Sequence, residues 1–295
     1  MKPIRRVVVA TDFSPGSMQA VERAALVARA HGACLDLLHT FDASAWKSLR
    51  SVFDMKHLAG AAPREAEQRQ RLDTLAESLA AQAGLDVETH FGLGVPAEAI
   101  TARVKATHAA LVVAARRSIP DAAGAGSTLL RVLRSVPCPL LVVRTAAASA
   151  YERVLTAVEL QELSLGAAAL AIDLFPKSEH CLLHVIDSAW EHEVWRGRAG
   201  AEAFDATLRA IHGRDTQQLQ ALVQDLGLPP EVRLQSQVAV VEAIASRGII
   251  ERAAAWPADC LVVGHHGHGR VADALLGSTA LDAIHHAACD VLVVP

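Results

Sequence analysis

Short runs of consecutive apolar residues alternate along the chain with longer stretches in which apolar residues recur every three or four positions. LLVV at 140–143 and LVVG at 261–264 are of the first kind, and MQAVERAALVARAHG at 18–32 and QQLQALVQDLG at 217–227 are of the second. Runs that are apolar throughout indicate strands buried on both faces, whereas the longer period indicates amphipathic helices. The alternation predicts an α/β fold with mostly parallel sheets covered by helices on both faces.

The pattern occurs twice, at a spacing of about 145 to 151 residues, which is far longer than the period of solenoid repeats. Each copy begins with an apolar run that ends in an acid, Asp12 in the first and Glu159 in the second. A second strand follows, from Cys34 and from Cys181, and runs into DASAW in one copy and DSAW in the other. We therefore expect two domains, residues 1–147 and residues 148–295.

Each copy closes with a strand, a glycine-containing loop, a helix and a last apolar strand. In the second copy the loop reads GHHGHGRVADALLGS from Gly264 and contains Gly267, Gly277 and Ser278. The first copy has one residue fewer between the strand and Gly126-Ser127, and it places Ala114 and Arg117 where the first two glycines are expected. Side chains at those two positions would crowd a ligand that approaches the backbone.

Composition and charge exclude several classes of protein. The formal charge is -4 with both signs spread along the chain, so no basic patch for nucleic acid is expected. The only apolar run near the N-terminus has four residues, too short for a signal peptide or a spanning helix, and this favours a cytoplasmic protein without membrane contact. Five cysteines without a CxxC motif indicate reduced, buried thiols.

The loop after Gly264 has features of an anion site. Ligands of open parallel sheets bind at the carboxyl ends of the strands, and the N-H groups at the start of a helix attract anions. Ser278 is expected to cap the helix, and its hydroxyl and that of Thr279 add donors. The alternative, that these glycines only make a turn before a capped helix with nothing bound, stays open on these grounds. The loop has no Gly-Lys-Ser/Thr, which excludes a Walker A motif.

Fourteen histidines raise the question of a metal site. Those that cluster in sequence are His265, His266, His268, His285 and His286. A zinc site needs three or four ligands that converge tetrahedrally, and adjacent histidines rarely point the same way. No metal site is therefore expected. His39 and His184, at the ends of buried strands, are expected to be hydrogen-bonded structural residues.

The order of these features resembles the universal stress protein family in its tandem, two-domain form. The features are an N-terminal strand ending in an acid, Leu-His-Val in the second strand, G-x2-G-x9-G-S after the fourth, and a final apolar strand. The resemblance covers each half of the chain. It implies that each domain is Rossmann-like (adenine nucleotide alpha hydrolase-like), with a mostly parallel five-stranded sheet. It also implies that the nucleotide-binding branch of the family holds ATP.

The resemblance assigns roles to residues of the second domain. Glu159 would take the ribose hydroxyls and Val185 would line the adenine pocket, while the phosphates would lie along the loop. The residues implied for the loop side are Val263, Gly264, His266, Gly267, Gly277, Ser278 and Thr279. In the first domain the corresponding residues are Asp12, Gly126 and Ser127, with a weaker match. One competent site, in the second domain, is the expectation.

The sequence favours a stress-response protein that binds ATP or a related adenine nucleotide and acts as a sensor, with no metal beyond Mg that accompanies ATP. It contains no GxSxG elbow and no paired carboxylates at a strand end, so an enzyme is not expected, although slow ATP hydrolysis is conceivable. The alternative is a nucleotide-independent scaffold.

Two further expectations concern contacts. The last strands of the two copies are expected to pair within the chain as a pseudo-dimer, and a homodimer is left open. The segments 42–71 and 187–216, which contain the shared Trp, are expected to pack as helices. A role as lids or as a binding site for another ligand remains an alternative for both segments.

Overall fold

The structure is a computed structural model that divides into two compact units, Met1–Ala150 and Tyr151–Pro295. It describes residues 3–43, 46, 48, 61–116, 127–160, 162–187, 201–225, 236–265 and 277–295.

The first unit is a five-stranded parallel sheet with helices between the strands. The strand order across the sheet is β3-β2-β1-β4-β5, and every pairing within it is parallel. Its elements are β1 (Arg6–Ala10), α1 (Pro15–His31), β2 (Cys34–Phe41), α2 (Ala61–Ala83), β3 (Val87–Leu93), α3 (Pro96–Thr107), β4 (Leu111–Ala115), α4 (Ser127–Ser135) and β5 (Leu140–Val143).

The second unit repeats this architecture. Its strand order is β10-β9-β6-β7-β8, which is the order of the first unit read from the opposite edge. Its elements are β6 (Arg153–Ala157), α5 (Glu162–Leu174), β7 (Glu179–Asp187), α6 (Ala201–Asp225), β8 (Ser236–Ala243), α7 (Ala245–Ala255), β9 (Cys260–Gly264), α8 (Ser278–His286) and β10 (Asp290–Val294). The α/β fold predicted from the alternation is confirmed.

The central strands are buried on both faces, as their unbroken apolar runs predict. Val7, Val8 and Val9 of β1 have no exposed surface, and neither do Leu261 and Val262 of β9. Burying one such side chain contributes about 1.5 to 3 kcal/mol, so these strands anchor the core of each unit.

Helix α1 illustrates how local sequence sets an element's ends. Ser14 is its N-cap and accepts a hydrogen bond from the N-H of Ser17, Pro15 fits the first turn, and Gly32 ends the helix with φ of 60°. A glycine adopts this left-handed conformation without the strain that a side chain would add. The chain then turns directly into β2.

The structure moves the start of one predicted strand. The second strand of the second unit begins at Glu179, two residues before Cys181, because Glu179 and not Cys181 pairs with Arg153.

All five cysteines are buried and none forms a disulfide, as expected. Within the described parts of the chain, the helices are too short or too polar to cross a membrane.

Candidate functional site

The two units can be aligned residue by residue through their sheet pairings. Arg6 pairs with Cys34 in the first unit, and Arg153 pairs with Glu179 in the second. The N-H of the residue after each first strand also bonds to the second strand, Thr11 to Leu38 and Val158 to Leu183. His39 is therefore the structural counterpart of His184, since each follows that bonded leucine.

Glu159 lies just beyond the end of β6, the central strand of the second unit. β6 is flanked by β7 on one side and β9 on the other, so the chain leaves its carboxyl end where the connections diverge. The preceding residue, Val158, is fixed twice: its N-H bonds to Leu183 at 2.8 Å, and its carbonyl oxygen lies 3.0 Å from Nδ1 of His184. The half-buried Glu159 is therefore held on a well-anchored backbone.

Val185 lies on β7, paired with Val241 of β8 and half-buried. Helix α7 passes close to it at a glycine: a Cβ at position 248 would lie 3.2 Å from Cγ1 of Val185 and 2.8 Å from the Cβ of Ala243. Gly248 thus lets the helix approach the end of β7. Sequence reasoning missed this residue, and the signal was a glycine inside the helical pattern SRGIIERAAA.

The two ends of the glycine loop meet at the carboxyl end of β9. Val263 is buried, and Gly264 is exposed and pairs with Val294. The N-H of His265 donates to Val294 at 2.6 Å, and its carbonyl oxygen accepts from the N-H of Gly277 at 2.9 Å. The start of α8 is thereby joined to the strand end. His266 and Gly267, expected to contact the ligand, lie outside the described residues.

The N-cap of α8 is Gly277 and not Ser278, so the expected cap is wrong by one position. Gly277 has the extended conformation of a cap (φ -60°, ψ 144°), and no side chain makes a cap hydrogen bond. Ser278 is the first helical residue and is exposed, and Thr279 is half-buried. The first-turn N-H groups of a helix have no partner within the helix, so this end can donate to an anion.

The pairing of β4 corrects the expected arrangement in the first unit. Ala115 pairs with Val143, and the next N-H, of Arg116, donates to Val143 at 2.8 Å, just as His265 donates to Val294. Ala115, not Ala114, is therefore the counterpart of Gly264. This one-residue offset is seen in the backbone pairing, and an alignment of the two halves of the sequence does not reveal it.

This offset also changes the loop length of the first unit. Gly277 follows Gly264 by 13 positions and Gly126 follows Ala115 by 11, so the first loop is two residues shorter, not one. Arg117 and Gly126 lie outside the described residues, as does the side chain of Ser127, the first residue of α4. The Cβ of Ala115 occupies the position that Gly264 leaves open in the second unit.

Asp12, the acid of the first unit, accepts hydrogen bonds within the turn that leads into α1. Its Oδ1 accepts from the N-H of Ser14 at 3.0 Å and from the Ser14 hydroxyl at 2.5 Å. The next residue, Phe13, has φ of 61°, and its ring lies 4.7 Å from that of His39. This exposed carboxylate helps to shape the start of α1.

Several of the described histidines contact main-chain carbonyl oxygens. Nδ1 of His39 lies 2.8 Å from the carbonyl oxygen of Thr11, and burial lowers the pKa of this ring. His286 contacts the carbonyl oxygen of Asp282 on its own helix. The expectation that His39 and His184 are hydrogen-bonded is confirmed. In the described ranges no group of three or more His, Cys, Asp or Glu is placed to hold a metal ion, and His268 lies outside them.

A second partner of His184 was also missed. Its Nε2 lies 3.8 Å from Oδ2 of Asp215, a buried carboxylate on α6 that also accepts from Arg214 at 2.9 Å. No sequence motif connects these positions, since the contact depends on where α6 crosses β7.

The residues expected to bind a nucleotide therefore divide into two groups. The structure brings Glu159, Val185, Gly264 and the start of α8 to the carboxyl ends of β6, β7 and β9 in one unit. An exposed glycine, a helix start without a side-chain cap hydrogen bond and a carboxylate at the end of the adjacent strand suit a ligand that has both phosphates and hydroxyls. The second group, His266 and Gly267, lies outside the described ranges.

Both halves of the chain match the same known family. The model of the universal stress protein family matches residues 3–144 and again residues 150–295. No curated protein sequence matches this chain.

Solved structures with a similar fold include two that span almost the whole chain. A functionally unknown protein from Pseudomonas aeruginosa PAO1 is 19% identical, with 99% of this chain and 92% of that one covered and a TM-score of 0.68. A universal stress protein from Archaeoglobus fulgidus is 17% identical, with 98% and 95% covered and a TM-score of 0.70.

A third structure, a universal stress protein in complex with cAMP, is 24% identical over 49% of this chain and 100% of its own, with a TM-score of 0.39. At these identities the first two likenesses establish the fold, a tandem of Rossmann-like domains.

Proposed function

Because the chain belongs to the universal stress protein family, with one copy of the family's domain in each half, we propose that it binds an adenine nucleotide in its second domain. The protein would act as a sensor or regulatory binding protein in the stress response, in keeping with the cytoplasmic location expected from its sequence. ATP is the nucleotide implied by the resemblance of its loop.

The observation that carries the proposal is the hydrogen bond of 2.9 Å between the N-H of Gly277 and the carbonyl oxygen of His265. It brings the first turn of α8 beside the exposed Gly264 at the end of β9. A phosphate group would receive N-H donors from that turn, and it would receive hydroxyl donors from Ser278 and Thr279. The absence of a side chain at 264 and 277 leaves the backbone accessible.

The remainder of the nucleotide would lie toward β6 and β7. Glu159 is a carboxylate on an anchored backbone and would accept hydrogen bonds from the ribose hydroxyls. Its extra methylene, compared with the Asp of the first unit, still permits this reach. Val185 would offer apolar surface to the adenine. These residues bind and orient a nucleotide, which favours a binding protein over an enzyme.

The first unit is the weaker candidate for the same role. Ala115 adds a Cβ where Gly264 leaves the backbone open, its loop is shorter, and Asp12 already accepts two hydrogen bonds from Ser14. We therefore assign nucleotide binding to the second domain alone.

The test compares two variants with the same substitution. Gly277→Glu places a carboxylate at the proposed phosphate site, whereas Gly213→Glu places one on an exposed position of α6 with open space around it. The wild type and Gly213→Glu should bind a fluorescent ATP analogue and carry nucleotide that acid extraction releases. Gly277→Glu should do neither.

Retention of nucleotide by Gly277→Glu would overturn the assignment to this domain. Absence of binding in the wild type, with added ATP and Mg, would favour the nucleotide-independent scaffold. Phosphate release that Ser278→Ala and Glu159→Ala both abolish would instead identify the site as an ATPase.

A further inference from the structure

Two arginines stand side by side at the carboxyl edge of the first domain. Ala115 of β4 pairs with Val143 of β5, and Arg116 continues this pairing because its N-H donates to the Val143 carbonyl at 2.8 Å. The next residue on each strand is an arginine, Arg116 and Arg144. Neighbouring positions on paired parallel strands present their side chains to the same face of the sheet. The side chains of Arg116 and Arg144 therefore extend from neighbouring positions, close enough for the charge of Arg144 to act on Arg116.

This juxtaposition brings like charges together at a partly desolvated place. Arg116 is half-buried and Arg144 is exposed. Burial of the guanidinium, and after it the positive charge of Arg144, lowers the pKa of Arg116. Two guanidinium groups that repel each other are stabilised by an anion that bridges them, and planar guanidinium forks match the oxygens of a phosphate.

The pair is a property of the first domain. The corresponding positions of the second domain are His265, which donates to Val294 as Arg116 donates to Val143, and Pro295. The first domain thus has two cationic side chains at the strand ends where the second has the start of its glycine loop. Ala115 hinders approach to the backbone there, but guanidinium groups extend several ångströms beyond it.

We propose that Arg116 and Arg144 form a phosphate-binding site in the first domain, one that holds an oxyanion by side-chain guanidinium groups in place of backbone N-H donors. Its ligand is a phosphate group, either free or at the end of a phosphorylated small molecule. This site is independent of the nucleotide site proposed for the second domain, and the two differ in what they recognise, since the arginine pair reads charge without a need for adenine.

The experiment uses the full chain with Gly277→Glu, so that binding to the second domain is blocked. Inorganic phosphate, pyrophosphate, ribose 5-phosphate and adenosine are titrated into this protein by calorimetry at low ionic strength. Pyrophosphate should bind and adenosine should not. Binding of inorganic phosphate as tightly as ribose 5-phosphate would identify the free ion as the ligand, whereas tighter binding of ribose 5-phosphate would point to a phosphorylated molecule.

The residues are tested by Arg116→Gln and Arg144→Gln, with Arg29→Gln, an exposed arginine in the last turn of α1, as the matched control. Each of the first two should weaken pyrophosphate binding at least about tenfold, the size expected for a charge-assisted hydrogen bond, and the control should not. Pyrophosphate should also raise the melting temperature of the parent protein but not of the double variant.

Failure of the parent protein to bind pyrophosphate, or equal weakening by Arg29→Gln, would overturn the proposal. Because the second domain is blocked throughout, neither result bears on the nucleotide site. Loss of ATP binding by Gly277→Glu with retained pyrophosphate binding would support both proposals separately.

Discussion

The ring of His184 donates a hydrogen bond from Nδ1, 3.0 Å long, to the carbonyl oxygen of Val158, the residue that precedes Glu159. A carbonyl oxygen only accepts, so Nδ1 carries the hydrogen. His39 makes the same bond, at 2.8 Å, to Thr11, the residue that precedes Asp12. In each domain a histidine of the second strand therefore fixes the end of the first.

Replacing His184 with Leu should weaken both the fold and the proposed nucleotide site. The Val158 carbonyl would lose a buried partner, which costs about 1 to 3 kcal/mol of unfolding free energy, and Glu159 would lose its anchored position. His39→Leu is the control, since it removes the equivalent bond in the domain without the proposed site. Urea denaturation should report a loss for both, but ATP titration should be weakened for His184→Leu alone. Equal affinities in the two variants would refute a positioning role for His184.

Gly248→Ala should fail to give the stabilisation that such a change gives in an open helix. Alanine gains about 1 kcal/mol over glycine in a helix interior, but its Cβ would lie 2.8 Å from that of Ala243 and 3.2 Å from Cγ1 of Val185. Overpacking of this kind costs about 1 to 3 kcal/mol. Gly213→Ala, in a helix position with open space, should raise the midpoint of thermal unfolding, whereas Gly248→Ala should leave it unchanged or lower it. An equal rise of the unfolding midpoint in both variants would show that α7 can shift to accommodate the added methyl group at little cost.

Asp36→Asn should destabilise the first domain strongly. This buried carboxylate accepts from Nε of Arg103 at 2.7 Å and from Nη1 of Arg6 at 3.3 Å. Removing its charge leaves two guanidinium groups short of a partner, a loss of about 3 kcal/mol. Glu88 contacts the same two arginines but its side chain is 46% exposed, so Glu88→Gln should cost about 1 kcal/mol or less. Chemical denaturation of the two variants checks this order, which equal losses would contradict.

The stability of the protein should fall as the pH drops below about 6.5. Burial lowers the pKa of both His39 and His180 in the folded state, despite the hydrogen bonds that these rings make to carbonyl oxygens. The unfolded chain therefore takes up protons first, and the unfolding free energy decreases until the pH passes the folded pKa values. Urea denaturation at pH 7.5, 6.0 and 5.0 should show this slope, reduced in His180→Gln.

The control for this pH dependence is His286→Gln, at an exposed position of α8. It should keep the full slope of the wild type. A slope that His180→Gln leaves intact would assign the acid sensitivity to other groups.

The repeat and the hydrophobic periodicity were sufficient to predict the architecture of this protein. Strands such as LLVV and LVVG are apolar at each position, and a parallel sheet covered on both faces is the arrangement that buries them fully. The spacing of Gly264, Gly277 and Ser278 also placed the candidate loop between a strand and a helix, because strand ends and helix starts have local signatures.

The partners across the sheet could not be predicted in the same way. Hydrogen bonds between strands far apart in sequence identify Ala115 as the counterpart of Gly264 and place Arg116 beside Arg144. With that alignment, the first loop is two residues shorter than the second. A shift of one residue turns a side chain to the other face, so alignment of the two halves by sequence alone could not resolve this.

What the sequence by itself determined is the fold, the duplication and the position of the candidate loop, because these follow from local periodicity and motif spacing. Only the tertiary structure decided that Gly277 caps α8 and bonds to His265, that His184 anchors the residue before Glu159, and that α7 reaches Val185 at a glycine. Each of these depends on the distance between backbone segments that meet only after the sheet has formed and the helices have packed on it.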